Sequence, residues 1–177
     1  QLRLHDEDDL VANLKEQCNL EQELETAKVQ LAMKSDYNNV DAFNIFDTYR
    51  LGSITAFDLR DGLSAIGVYA TLEECELFVT RYDKNGDRRL AQYEFADAFL
   101  AHDAYYASMV SRRGSNYVPR PLRREDVFLP HTAFELQAMW RTHLRVENAA
   151  ESLRVSLQLR PGFNAYEAFN SLDLNGS

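Results

Sequence analysis

Between Arg81 and Phe95 the chain reads RYDKNGDRRLAQYEF, and oxygen-bearing side chains recur at alternate positions: Asp83, Asn85 and Asp87, followed by Glu94. A hard cation of calcium's size takes about six to eight oxygens at roughly 2.3–2.6 Å. A loop of about twelve residues supplies them from its first, third and fifth side chains, a carbonyl at the seventh, a water at the ninth and a bidentate carboxylate at the twelfth. In that register the ligands are Asp83, Asn85, Asp87, the carbonyl of Arg89, a water beside Ala91, and Glu94. Arg88 departs from the pattern, because the sixth position wants the positive φ that glycine adopts freely. A side chain there costs on the order of 1–2 kcal/mol, enough to weaken binding about tenfold without abolishing it. Lys84, Arg88 and Arg89 also lower the local negative potential, so the expected affinity for Ca²⁺ is weak, about 10⁻⁶ to 10⁻⁴ M.

A second loop in the same frame starts 36 residues upstream, in FDTYRLGSITAFDL. Asp47 takes the first position, Gly52 the sixth, Ile54 the eighth, Thr55 the ninth and Asp58 the twelfth. Tyr49 and Leu51 stand where two ligands belong, and Asp58 is one methylene shorter than glutamate. This degenerate loop is expected to be empty and structural, with Ile54 pairing against Leu90 of the other loop. A third start, Asp173, Asn175 and Ser177, follows the same spacing where the sequence stops. With Gln1 as the first residue and a motif cut at Ser177, the chain reads as a fragment of a longer protein.

The elements that must position these loops are helices. From about Asp8 to Met33 there is no Gly or Pro, and Leu10, Leu14, Leu24 and Leu31 recur near helical spacing. Helical patterns then end at Phe46, run from Ala56 to about Ile66, restart at Thr71 to end at Tyr82, and run from Gln92 to about Val110. Thr71 with Glu74 fits a capping box, in which side chains at the two positions satisfy each other's free amides. Ser111 to Pro130 holds three prolines, a glycine and five arginines and reads as an exposed connector. Thr132 with Glu135 suggests a second capping box, opening a helix of about seven turns that Pro161 and Gly162 end.

Such paired loops resemble the EF-hand superfamily of calmodulin, centrin and troponin C type. The resemblance covers residues 36 to 110 and, in part, the last fifteen. It implies an all-α fold: a paired EF-hand helix-loop-helix lobe, a long N-terminal helix, and a second, incomplete helical EF-hand region. The corresponding divisions are 1–35, 36–110, a Pro/Arg-rich connector over 111–131, and 132–177. It also implies calcium as the bound ion and a helical peptide as protein partner, while the arginine-rich part suits an acidic surface, either cytoskeletal or this chain's own acidic half. The lobe is poor in methionine, so one dedicated partner is expected rather than many. Calcium sensing is the leading reading. The other is a structural protein of a cytoskeletal or axonemal assembly that keeps EF-hand folds for packing, with calcium incidental.

LQAMWRTHLR, from Leu136 to Arg145, resembles part of an IQ motif, the helical segment that EF-hand lobes grip. Leu136, Met139, Trp140, His143 and Leu144 share a helical face, flanked by Arg141. Two readings stand: a helix docked in an EF-hand groove of its own chain or in an interface, and an ordinary core helix of a second lobe.

The net charge is −9, and it is uneven. Residues 1–110 carry 21 acidic and 10 basic side chains, and residues 111–177 carry 7 acidic and 9 arginines. The acidic part does not suit nucleic acid, which wants clustered cations. Cys18 and Cys75 lie far apart, so neither a disulfide framework nor a zinc cluster is expected, and a cytoplasmic, cytoskeletal or ciliary setting fits a reduced pair. No apolar run approaches the roughly 20 residues of a membrane span. His5, His102, His131 and His143 lack metal-ligand spacing, and no nucleophile–base or phosphate-loop motif appears, so no enzyme is expected.

Overall fold

The computed structural model describes residues 4–116 and 123–160, together with Asn164 and Tyr166. In chain order the helices are α1 (Leu4–Ala32), α2 (Asn39–Asn44), α3 (Ala56–Ala65), α4 (Leu72–Tyr82), α5 (Gln92–Phe99), α6 (Ala104–Ser111) and α7 (Pro130–Gln158). Two short strands, β1 (Ser53–Ile54) and β2 (Leu90–Ala91), and a 3₁₀ turn at Arg124–Asp126 complete the described elements. The fold is mainly helical, as the sequence leads one to expect. No helix among the described residues is long and apolar enough to cross a membrane.

Residues 38–99 form two helix-loop-helix units joined by the strands. β1 and β2 pair antiparallel with Ile54 opposite Leu90, the pairing anticipated from the sequence, and both side chains are completely buried. Local chemistry places the helix starts. Asn38 caps α2 by accepting from the Asp41 amide at 2.8 Å, and Thr71 with Glu74 makes the expected capping box at α4. Thr55 and Asp58 form another box at α3.

Two sequence expectations are corrected. The helix read from Gln92 to Val110 is broken: α5 stops at Phe99, Leu100 is extended, and α6 restarts with Asp103 as its cap. The cause is remote in sequence, because the Glu25 carboxylate of α1 accepts the main-chain amides of His102 and Asp103 and so replaces the helical acceptors there. The capping box at Thr132 is also absent. Pro130 opens α7 at a position where its missing amide costs nothing, and Asp36, between α1 and α2, accepts from the Leu129 amide and from the Thr132 hydroxyl.

α1 and α7 are both 29 residues long and run antiparallel along each other. Ion pairs mark the register: Asp9 with Arg160 at 2.8 Å, Glu23 with Arg145, and Lys34 with Glu135 at 3.8 Å. Arg113 fastens the end of α1 by donating to three carbonyls, of Ala32, Lys34 and Tyr37. The core lies where this hairpin meets the helix-loop-helix pair. Its centre is Trp140 of α7, completely buried, with ring centroids 5.3 Å from Phe46, 4.8 Å from Phe78, 6.1 Å from Phe95 and 5.0 Å from Phe99.

Candidate metal centre

α4 delivers Asp83 at its C-terminus, and α5 begins one residue after β2, so the loop between them is anchored at both ends. Within it the main chain is organised by the side chains nominated as ligands. Asp83 accepts the Gly86 amide at 2.7 Å and the Arg88 amide at 2.8 Å, one on each carboxylate oxygen. Asn85 accepts from the Asp87 amide at 2.9 Å, and Asp87 from the Arg89 amide at 2.8 Å. Glu94 is completely buried: one oxygen accepts from the Lys84 amide and the other from the Ala91 amide, each at 2.9 Å. The Tyr93 hydroxyl lies 3.2 Å from the same oxygen that Lys84 uses.

These bonds have a chemical reading. An ionised carboxylate has about four lone-pair sites, so an oxygen that accepts one amide keeps capacity for a cation. The donor set is all oxygen, which suits a hard ion. Yet among the described residues no three His, Cys, Asp or Glu side chains gather closely enough to hold a metal. The carboxylates of Asp83, Asp87 and Glu94 are turned onto their own backbone instead. Ligand types fit calcium, while convergence of the carboxylates is not a feature of this conformation.

The upstream loop repeats the same main-chain path without the ligands. Asp47, buried, accepts the amides of Leu51 and Gly52 at 2.8 Å. Tyr49 and Leu51 point to solvent. One Asp58 oxygen accepts both the Thr55 amide and the Thr55 hydroxyl, so that carboxylate serves the start of α3. Positive φ occurs at Arg50 (52°) and Gly52 (77°) in this loop and at Gly86 (77°) and Arg88 (59°) in the other. The fourth and sixth positions are thus left-handed in both loops, and in each loop one of the two is glycine and the other arginine.

Arg88 therefore adopts the strained conformation expected of it. Arg88→Gly is expected to raise stability by about 1 kcal/mol, and Gly86→Ala to lower it by a similar amount, both read from urea midpoints. Open space surrounds the Cβ position of Gly86, so the second effect isolates the backbone term. Two of the three basic neighbours have contacts of their own. Lys84 is paired with Asp97, and the Arg89 guanidinium crosses to the other loop, where it donates to the Ser53 hydroxyl at 2.7 Å and the Ser53 carbonyl at 3.3 Å. Only Arg88 of the three is left without such a role. Sequence reasoning missed Ser53, for which no signal existed beyond its place before Ile54.

Asp173, Asn175 and Ser177 lie outside the described residues. The face nominated on α7 is brought to the helix-loop-helix pair: Leu136, Met139, Trp140 and Leu144 are buried. Arg141 is exposed, its guanidinium 3.5 Å from the Gly67 carbonyl. The partners of Trp140 belong to residues 46–99, so this helix completes the core of the preceding pair.

No family model, curated protein or solved structure matches this chain.

Beneath Trp140 the same face carries two polar groups, His143, which the helical spacing placed there, and Glu147, which sequence reading did not single out. His143 is fully buried among Phe78, Tyr82 and Phe99, and its Nε2 lies 2.9 Å from the Ala98 carbonyl. Burial, with Lys28 nearby, pushes its pKa down to about 3, so the neutral ring donates from Nε2. Glu147, one turn further on, is 2 % exposed and sits 2.9 Å from an Arg81 nitrogen. Burial raises its pKa to about 7, against the opposing pull of Arg81. Arg81 also binds Glu21 of α1 at 2.8 Å, so one side chain from the last turn of α4 ties both hairpin helices. Cys75 is buried, which pushes its thiol up to about 12 and makes it a poor nucleophile, while Cys18 is exposed.

Proposed function

We propose that this chain carries an EF-hand pair, that the loop from Asp83 to Glu94 binds calcium, and that the protein serves as a helical interaction module for a protein partner. The observation that carries this reading is the paired-loop backbone: left-handed residues at the fourth and sixth positions of both loops, with Ile54 opposite Leu90. Such a path sets oxygen-bearing side chains at alternate positions of the loop, and oxygen is the donor type a hard ion takes. Asp83, Asn85, Asp87, the Arg89 carbonyl and Glu94 would hold the ion. The loop from Asp47 to Asp58 would remain empty, since Tyr49 and Leu51 offer no oxygen ligand of the needed kind.

Calorimetric titration tests it. Calcium is expected to bind at one site with a Kd of about 10⁻⁶ to 10⁻⁴ M. Glu94→Gln removes one carboxylate oxygen and should weaken binding by at least tenfold, about 1.4 kcal/mol. No heat in the parent chain, or equal affinity in the variant, would overturn the calcium assignment.

A second reading has its own support. Trp140 fills the apolar seat between α4, α5 and the end of α2, the place where a sensor lobe would receive a foreign helix. In that reading the EF-hand pair is a packing unit of a structural protein, in a cytoskeletal assembly for example, and calcium only stiffens it. As the single tryptophan, Trp140 reports which reading holds. Emission that shifts on adding calcium supports a switch; emission unchanged at saturating calcium supports the structural role.

A further inference from the structure

Just past α6 the chain reads Arg112, Arg113, Gly114, Ser115, Asn116, and these residues lie outside any helix or strand. Ser115 is the one serine or threonine in the sequence with arginine both two and three residues before it. Ser53 follows Arg50 by three, but it belongs to β1 and its hydroxyl accepts from Arg89. Ser156 follows Arg154 by two and has Leu153 in the other place. A pair of arginines at this spacing suits a peptide groove lined with carboxylates, because guanidinium–carboxylate bonds are charge-assisted and fork-shaped.

The structure shows both how this segment is held and how it can be released. Arg113 donates to the carbonyls of Ala32, Lys34 and Tyr37 at 2.8, 2.7 and 3.0 Å. The Ser115 hydroxyl donates to Asp41 Oδ1 at 2.5 Å, and the Asn116 amide donates to Asp41 Oδ2 at 2.8 Å. The Asn116 side chain donates to the Asp36 carbonyl. Each of these bonds has a side chain at one end, so residues 113–116 can leave without unwinding a helix or parting the strands. Ser115 and Arg112 are exposed, and the space around Gly114 is open. All three acceptors of Arg113 are neutral carbonyls, so an acidic groove offers it stronger partners than those it has.

We propose that Ser115 is a phosphorylation site for an arginine-directed protein kinase, and that its phosphate keeps residues 113–116 from returning to Asp41 at α2. The co-substrate is a nucleoside triphosphate with its magnesium ion, held by the kinase. Ser115 Oγ attacks the terminal phosphorus; the new O–P bond forms as the bond from that phosphorus to the bridging oxygen breaks. The hydroxyl proton passes to a carboxylate of the kinase, and the nucleoside diphosphate leaves. This site does not depend on whether the loop from Asp83 to Glu94 binds calcium.

The consequence follows from what Ser115 touches. A phosphoserine carries a charge of about −1.5 to −2 and presents acceptor oxygens where the hydroxyl had a donor. Its neighbour in the closed segment is the Asp41 carboxylate, whose two oxygens already accept from Ser115, Asn116 and the Asn38 side chain. Acceptor then faces acceptor and charge faces like charge, so the closed arrangement is lost. Arg112 and Arg113, three and two residues away along the chain, supply the nearest counter-charges to the phosphate. An Arg113 drawn to it gives up the three carbonyls at the end of α1, and the tie between α6 and α1 is unfastened.

The test incubates the intact chain with magnesium ATP and the catalytic subunit of cyclic-AMP-dependent protein kinase, an arginine-directed enzyme, and locates the phosphate by fragment mass. Phosphate on Ser115 is expected, with none at that position in Ser115→Ala. Arg112→Ala, which alters an exposed side chain, should slow incorporation about tenfold. No phosphate on Ser115, or an equal rate in Arg112→Ala, overturns the assignment. Hydrogen exchange at the Asn116 amide then reads the release from Asp41. Phosphorylation is expected to speed it about tenfold, and to speed it less in Asp41→Asn, which keeps an acceptor and removes the charge. Unchanged exchange in the phosphorylated chain, or equal acceleration in Asp41→Asn, overturns the release.

Discussion

Replacing Trp140 by alanine is expected to lower the stability of the fold by about 3–5 kcal/mol. The indole is completely buried and touches rings from both helix-loop-helix units, so its removal leaves a cavity walled by Phe46, Phe78, Phe95 and Phe99. Those rings are themselves packed against one another, Phe46 tilted on Phe95 and Phe95 stacked on Phe99, which limits how far they can close the gap. Domains of ordinary stability have about 5–15 kcal/mol in hand, so this variant stands near the threshold of folding. Trp140→Phe keeps an aromatic ring and deletes the unpaired Nε1, and it should cost less than about half as much. Urea midpoints of the two variants, followed by helix content, check both values; equal loss in the two would mean that ring volume is not what Trp140 contributes.

Gly62→Ala is expected to cost about 1–3 kcal/mol, although the same change in an exposed helix gains about 1 kcal/mol. A Cβ at Gly62 would lie 2.3 Å from Phe46 Cδ1 and 2.8 Å from Cε1. Phe46 has no room to retreat, because Phe95 and Trp140 hold its ring from other sides. The helix α3 would have to move away from its neighbours instead. A thermal midpoint equal to or above that of the parent chain would show that α3 does not approach Phe46 this closely.

Much of this arrangement was legible because local chemistry decides it. Thr71 and Glu74 are close in sequence and cap the helix they announce; Ile54 and Leu90 occupy equivalent places in two loops of one frame, and they meet. The rest depends on contacts that sequence spacing does not reveal. Nothing near Phe99 signals that α5 stops there, since the acceptor that ends it comes from Glu25. Nothing near Pro130 shows that Asp36 will hold the start of α7. In the candidate site, the spacing of Asp83, Asn85, Asp87 and Glu94 was visible, and the turn of their carboxylates onto backbone amides was not. That turn depends on where each amide points, which is a property of the folded loop. His143 was legible as part of the α7 face, while Glu147 passed as an ordinary helix residue because burial alone makes it unusual.

The antiparallel pairing of α1 with α7 joins the first and last long helices among the described residues. On a ribosome, α1 therefore emerges with its main partner still unmade, and Phe46, Phe78, Phe95 and Phe99 are synthesised before the Trp140 that covers them. Contacts this distant in sequence close late and slowly. Until α7 is released, an amphipathic segment of any neighbouring chain meets the same open aromatic seat, and exposed seats of this kind are where nascent chains associate. Docking of α7 thus closes that seat as well as completing the core.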